Sequence, residues 1–122
     1  PPPVQPAGVG ISVAAGRPAA EDCADANCEW LAAETLRPPL IWRLARKGES
    51  FIPLGAPGSK LIIDLLAEIK MPRRRRDQVR VLADAEGILW VWPVRLAERA
   101  RLSATTETAL RLTVKVPASA VE

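Results

Sequence analysis

The chain has 122 residues, 48% apolar but only 4% aromatic, with no Tyr, no His and a formal net charge of +3. That length fits one domain able to bury roughly 65% of its unfolded surface without staples, and Leu, Ile and Val must fill most of the core around four Trp. The missing histidine removes the usual general base near neutral pH and argues against hydrolytic catalysis. No apolar run reaches the ~20 residues of a membrane span or forms a signal-peptide core, so we expect a cytoplasmic piece of a longer chain with no membrane partner.

In chain order, residues 1–7 form a proline-rich lead that reads as an extended linker or chain edge, and residues 8–122 as a single domain. Residues 8–15 alternate Val9, Ile11 and Val13 against small residues, a strand with one buried face that Gly16-Arg17-Pro18 ends. Residues 21–36 are acidic and alanine-rich, with Trp30, Leu31 and Leu36 as apolar contacts; part of the stretch reads as a short helix that Pro38-Pro39 stops. Within it, Cys23 and Cys28 stand as C-x4-C. Without histidine they lack two of the four donors of a structural zinc site, so no metal is expected. They read as free thiols, a disulfide across so short a loop being open but unforced.

Residues 40–46 alternate imperfectly and read as a strand with Arg43 and Arg46 on its wetter face. The turn Gly55-Ala56-Pro57-Gly58 then leads to Ser59, a favourable N-cap, where a helix should begin. Leu61, Ile62, Leu65, Leu66 and Ile69 recur at helical spacing as its buried face, and Pro72 ends it. Residues 79–84, a turn at Ala85-Glu86-Gly87 and residues 88–92 read as an antiparallel hairpin, the strongest β signal in the chain. Pro93 breaks its second strand, residues 95–101 form a charged connection, and residues 110–116 make a last strand with Leu110, Leu112 and Val114 inward. Trp42, Trp90 and Trp92 fall in strands and Trp30 beside Leu31, which points to core packing rather than base stacking.

Charge is concentrated. Residues 1–36 hold one base against five acids, net −4; residues 37–80 hold eleven against four, net +7; residues 81–122 balance at five each. A positive middle third is the pattern of a polyanion footprint. Its centre is Arg73-Arg74-Arg75-Arg76-Asp77. Arg73, Arg74 and Arg76 offer guanidinium forks to phosphate oxygens, and Lys60 with backbone N–H groups at the helix start would form a second anion site. Arg43, Arg95 and Arg99 are further RNA-binding candidates, each able instead to pair with an acid of the fold. The stretch Gly55-Ala56-Pro57-Gly58-Ser59-Lys60 lacks the Gly-x4-Gly-Lys-Ser/Thr spacing of a nucleotide-binding P-loop.

From about Leu40 to Val114 the same elements resemble the C-terminal domain of the tRNA(Ile)-lysidine synthetases. The family's Gly-Asp/Glu-x-Phe-x-Pro-x-Gly-x-x-Gly-x-Lys turn stands here as Gly48-Glu49-Ser50-Phe51-Ile52-Pro53-Leu54-Gly55-Ala56-Pro57-Gly58-Ser59-Lys60. Its Lys-x-Pro-Arg and Arg-Asp steps stand as Lys70-Met71-Pro72-Arg73 and Arg76-Asp77, and its Trp-Val, Arg and Glu-Arg segment as Trp90-Val91, Arg95 and Glu98-Arg99. Leu61 and Ile63 depart from it where further bases are usual, Arg80 where proline is usual, and Pro93 where glycine is common.

The resemblance implies an α+β fold, a β-sandwich-like mixed sheet with a short helix, similar to a domain of the phenylalanyl-tRNA synthetase β chain, with the family-like core at about residues 40–116. It implies a module that helps hold tRNA(Ile) by its acceptor stem. In that family an N-terminal catalytic domain, carrying a Ser-Gly-Gly-x-Asp-Ser loop absent here, uses ATP to adenylate the wobble cytidine and attaches lysine. ATP and lysine would be substrates of that parent enzyme, leaving this chain non-catalytic and without a cofactor of its own. The alternative is a structural module that packs on the parent enzyme or forms its homodimer; a free-standing RNA-binding protein is a third reading.

Overall fold

The structure, a computed structural model, describes residues 9–16, 27–103 and 108–115; the proline-rich lead at 1–7 lies outside them. In chain order these residues form β1 (Gly10–Gly16), β2 (Cys28–Ala32), β3 (Ile41–Leu44), β4 (Ser50–Phe51), β5 (Lys60–Leu61), α1 (Ile62–Glu68), α2 (Arg73–Arg76), β6 (Arg80–Asp84), β7 (Gly87–Trp92), β8 (Arg95–Leu96), a 3-10 turn (Glu98–Ala100) and β9 (Ala109–Lys115). The strands pair antiparallel in three sheets, β1-β9-β2, β3-β6-β7-β8 and the β4-β5 ribbon.

The four-stranded sheet is the middle layer. One face meets the three-stranded sheet, where Trp42, Leu82, Leu89, Trp90, Trp92 and Leu96 pack with Val9, Leu31, Leu112 and Val114. The other face meets α1 and the ribbon, where Val79, Val81, Ile88 and Val91 pack with Phe51, Ile62, Leu65, Leu66 and Met71. A sheet covered on both faces loses clean alternation, and accordingly every residue of β6 is buried. Between Leu82 and Ala83 the register with β7 shifts, Leu82 facing Trp90 and Ala83 facing Ile88. The extra residue of this bulge lets both Leu89 and Trp90 enter the first core while Ile88 and Val91 enter the second.

The tryptophans pack in the core as expected. Trp42 meets Trp90 with ring centroids 6.2 Å apart and Trp92 edge-on at 6.1 Å. A buried indole N–H is best satisfied by an acceptor. Trp42 Nε1 donates to the Val9 carbonyl at 3.2 Å, and Trp92 Nε1 to Asn27 Oδ1 at 2.9 Å. Both bonds join the middle sheet to the outer one.

Several expectations are corrected. Of the stretch 21–36 expected to be partly helical, residues 21–26, with Cys23, lie outside the described residues, and residues 28–32 are a strand paired with β9 in which Trp30 and Leu31 are buried. Val13 is exposed although Val9 is buried. The long helix begins at Ile62, not at Ser59, because Lys60 and Leu61 pair with Phe51 and Ser50 and the Ile62 N–H donates to the Glu49 carbonyl. Leu61 and Ile69 are consequently exposed, while Ile62, Leu65 and Leu66 form the buried face. Residues 95 and 96 add an edge strand where a charged connection was expected, β7 and β8 being joined through Pro93 and Val94. Cys28 is in a disulfide, against the free-thiol reading. The hairpin at 80–92 and the last strand, with Leu112 and Val114 buried, stand as read.

Candidate nucleic-acid interface

The arginine tract is a helical turn, α2. Helix α1 closes with Lys70 N–H bonded to the Ala67 carbonyl and Met71 N–H to that of Leu66, the paired bonds of a Schellman motif. Lys70 holds the left-handed position, φ 59, that glycine usually fills. Met71 then drops into the core beside Leu66, and Pro72 accepts from the N–H groups of Arg75 and Arg76 to open α2. Arg76 is half-buried and donates Nε to the Met71 carbonyl at 2.9 Å, tying the turn down. Arg73, Arg74 and Arg75 are exposed.

The other expected RNA-binding residues are placed differently. Arg43, half-buried on the middle sheet, donates Nη1 and Nη2 to Glu49 at 2.9 and 2.6 Å, a bidentate pair. That bond, strengthened by the attraction of the charges and opposed by burial, raises the Arg43 pKa, and it holds the Glu49 carboxyl below its ordinary value. Lys60 sits in β5, not at a helix start, and is bonded to Glu68. Arg99 donates Nη2 to Asp84 at 3.0 Å and lies 3.8 Å from Glu86. Arg95 is exposed on the edge strand β8. The second anion site expected from Lys60 and the helix start does not form, since the helix opens two residues later.

Asp84 has no exposed side-chain surface, which by itself would raise its pKa. Bonds from Arg99 and from the backbone N–H groups of Arg37 and Glu86 outweigh burial and hold it below the ordinary value. Glu98 is held low by the Gly55 N–H and by Arg101. An open cleft of about 340 Å³ lies between the Arg43–Arg46–Glu49 group and the Asp84–Glu86 turn; it carries both signs of charge, so it is no anion pocket.

Beside α2 stands a second cationic turn that the sequence reading left out of its candidates. The Ala45 N–H donates to the Val79 carbonyl at 2.9 Å, which brings residues 46–48 next to the segment leaving α2. Arg46 and Lys47 are exposed, as are Arg73, Arg74 and Arg75. Sequence distance hid this pairing; only the β3–β6 register, Leu44 opposite Arg80, reveals it. Arg80 itself is 3% exposed and donates Nη1 to the Gln78 carbonyl, burial lowering its pKa. Among the described residues there is no group of three or more potential metal ligands, and no helix is long and apolar enough to cross a membrane.

Comparisons with known proteins give the family and the fold. Residues 40–113 match the family described as the TilS substrate C-terminal domain. The tRNA(Ile)-lysidine synthase of Symbiobacterium thermophilum is 37% identical over 86 residues, covering 70% of this chain and 18% of that protein. The namesake from Geobacter sulfurreducens is 35% identical over 75 residues, covering 62% and 16%. The chain thus spans less than a fifth of the curated relatives it matches. Among solved structures, a TilS C-terminal domain superposes with a TM-score of 0.73 at 24% identity, covering 90% of this chain and 85% of that one. An N-terminal fragment of the phenylalanyl-tRNA synthetase β-subunit from Pyrococcus horikoshii gives 0.61 at 21% identity, covering 77% and 29%. At these identities the two structures establish the α+β fold.

Proposed function

The chain belongs to the TilS substrate C-terminal domain family, and from that premise we propose that it is the tRNA-docking module of a tRNA(Ile)-lysidine synthase. It holds the acceptor stem of tRNA(Ile), while a catalytic domain outside this chain joins lysine to the wobble cytidine with ATP. The observation that carries the reading is the exposed arginine turn α2, seated on a core-anchored frame by Met71 and by the Arg76 bond. A rigid cationic turn suits this task. An A-form stem keeps its major-groove base edges out of reach in a deep, narrow groove and offers phosphates and 2′-hydroxyls along its shallow minor groove, and guanidinium contacts to phosphate position it without reading sequence.

The chain's own residues then divide by role. Arg73, Arg74 and Arg75 meet phosphates, with Arg95 as an outlying contact. Lys60, Arg43, Arg76 and Arg99, each half-buried, shape the surface. Competition tests the assignment: an acceptor-stem minihelix should displace a labelled tRNA(Ile) transcript from this chain, and an anticodon stem-loop should not. Displacement by the stem-loop but not by the minihelix would refute acceptor-stem docking.

One observation favours a second reading, a packing or dimerisation surface. Leu61 and Ile63, 40% and 56% exposed, stand where the resemblance leads one to expect bases. Concentration-dependent sedimentation that Ile63→Asp abolishes would support it; a monomer at all concentrations that does not associate with the catalytic domain would remove it.

A further inference from the structure

We infer that the turn bearing Arg46 and Lys47 is a second phosphate-contacting step, forming with Arg73 and Arg75 one continuous strip against the backbone of duplex RNA. The inference rests on the tRNA-docking reading and extends it to a turn outside the arginine tract.

The turn is built, not incidental. The Glu49 N–H donates to the Arg46 carbonyl at 3.3 Å and Gly48 has φ 84, the geometry of a type II turn with Lys47 and Gly48 at its centre. The Glu49 carboxylate closes it from inside, accepting the Arg46 N–H at 2.6 Å and the Arg43 fork. Glu49 is thereby occupied by Arg43, so the group Arg43–Glu49–Arg46 keeps one net positive charge, and Lys47 at the tip adds another. The Arg46 and Lys47 side chains face solvent on a backbone that binding need not order, which lowers the entropic cost of a contact. The bond from Ala45 to Val79 fastens this turn beside α2; between residues 69 and 83 the only acid is Asp77, and the acids across the cleft that Arg46 lines, Asp84 and Glu86, are paired with Arg99.

The stapling carboxylate also explains why an acid stands inside a cationic patch. Arg43 and Glu49 position the turn; Arg46 and Lys47 make the contact.

The experiment measures binding of an acceptor-stem minihelix to this chain across a salt series, in four forms: unaltered, Arg46→Ala/Lys47→Ala, Arg73→Ala/Arg75→Ala, and Arg37→Ala/Lys115→Ala. The last removes the same charge from residues outside the strip. Each phosphate contact contributes about 0.9 to the slope of log K against log salt. We expect the 46/47 pair to flatten the slope by about one to two, as the 73/75 pair does, with thermal unfolding unchanged and the 37/115 pair matching the unaltered chain. A 46/47 slope equal to that of the unaltered chain, with the 73/75 slope flattened, overturns this inference and leaves tRNA docking intact. Equal flattening by the 37/115 pair overturns it as a general charge effect. Salt-independent or absent binding by the unaltered chain overturns the docking reading and this inference with it.

Discussion

Arg99 reaches across 15 residues to donate Nη2 to the Asp84 carboxylate at 3.0 Å, and that carboxylate has no exposed side-chain surface. Asp84 also accepts from the N–H groups of Arg37 at 2.9 Å, Glu86 at 2.9 Å and Gly87 at 3.1 Å. One side chain therefore joins the β6–β7 hairpin, the segment before β3 and the 3-10 turn after β8. Replacing it by alanine strands a guanidinium and three N–H donors. Asp84→Ala should lower unfolding stability by about 2–4 kcal/mol, read as a lower urea midpoint with unchanged slope. A loss within experimental error would mean that water replaces these bonds.

The direction of the acid limb follows from the same carboxylates. Asp84, Glu49 and Glu98 have folded-state pKa values below their ordinary ones. Groups of this sign contribute stability that is complete above the unfolded carboxylate pKa, about 4, and is lost as pH falls through the lower folded values. Glu29, raised by burial against the opposing Trp30 N–H bond, works the other way, since its protonation on acidification favours the fold. Three against one, stability should be flat at neutral pH and fall below about pH 4. Asp84→Asn should make that fall shallower, measured as urea midpoints from pH 2 to 7.

Trp42, 1% exposed, sits between Trp90 and Trp92 and bonds to Val9 on the facing sheet. Trp42→Ala leaves a cavity between the layers and should cost about 3–5 kcal/mol. Trp42→Phe keeps most of the volume but strands the Val9 carbonyl, so its loss should be smaller. Chemical denaturation of the two variants separates packing from the hydrogen bond.

Lys70 occupies the left-handed position at the end of α1 without the freedom of glycine. Lys70→Gly relieves that strain at the cost of a more mobile unfolded chain, and should raise stability by about 0.5–1 kcal/mol. Lys70→Val should lower it. Thermal unfolding of the pair checks the sign.

Legibility in the sequence followed locality. The β6–β7 hairpin carries its own turn and apolar runs and is visible from neighbours alone, as is the break at Pro72; that the arginines after it form a helical turn is not. Ser59 is a good N-cap by type, yet pairing of Lys60 with Phe51 holds it outside the helix, a tertiary preference no local signal carries. Residues 28–32 look helical by composition, but β9 recruits them as a strand. The Arg99–Asp84 bond, the Arg43–Glu49 fork inside a cationic patch and the approach of Lys47 to α2 depend on sheet register. They become visible only once β3, β6 and β7 are side by side.

The most direct test of tRNA docking compares the unaltered chain with Arg73→Ala/Arg74→Ala/Arg75→Ala on a tRNA(Ile) transcript across a salt series. With about four phosphates engaged, the unaltered chain should give a slope of log K against log salt near −3 to −4, and the variant one flatter by about two to three. An unaltered chain with no salt-dependent binding, or a variant that keeps the full slope, would contradict docking through the arginine turn.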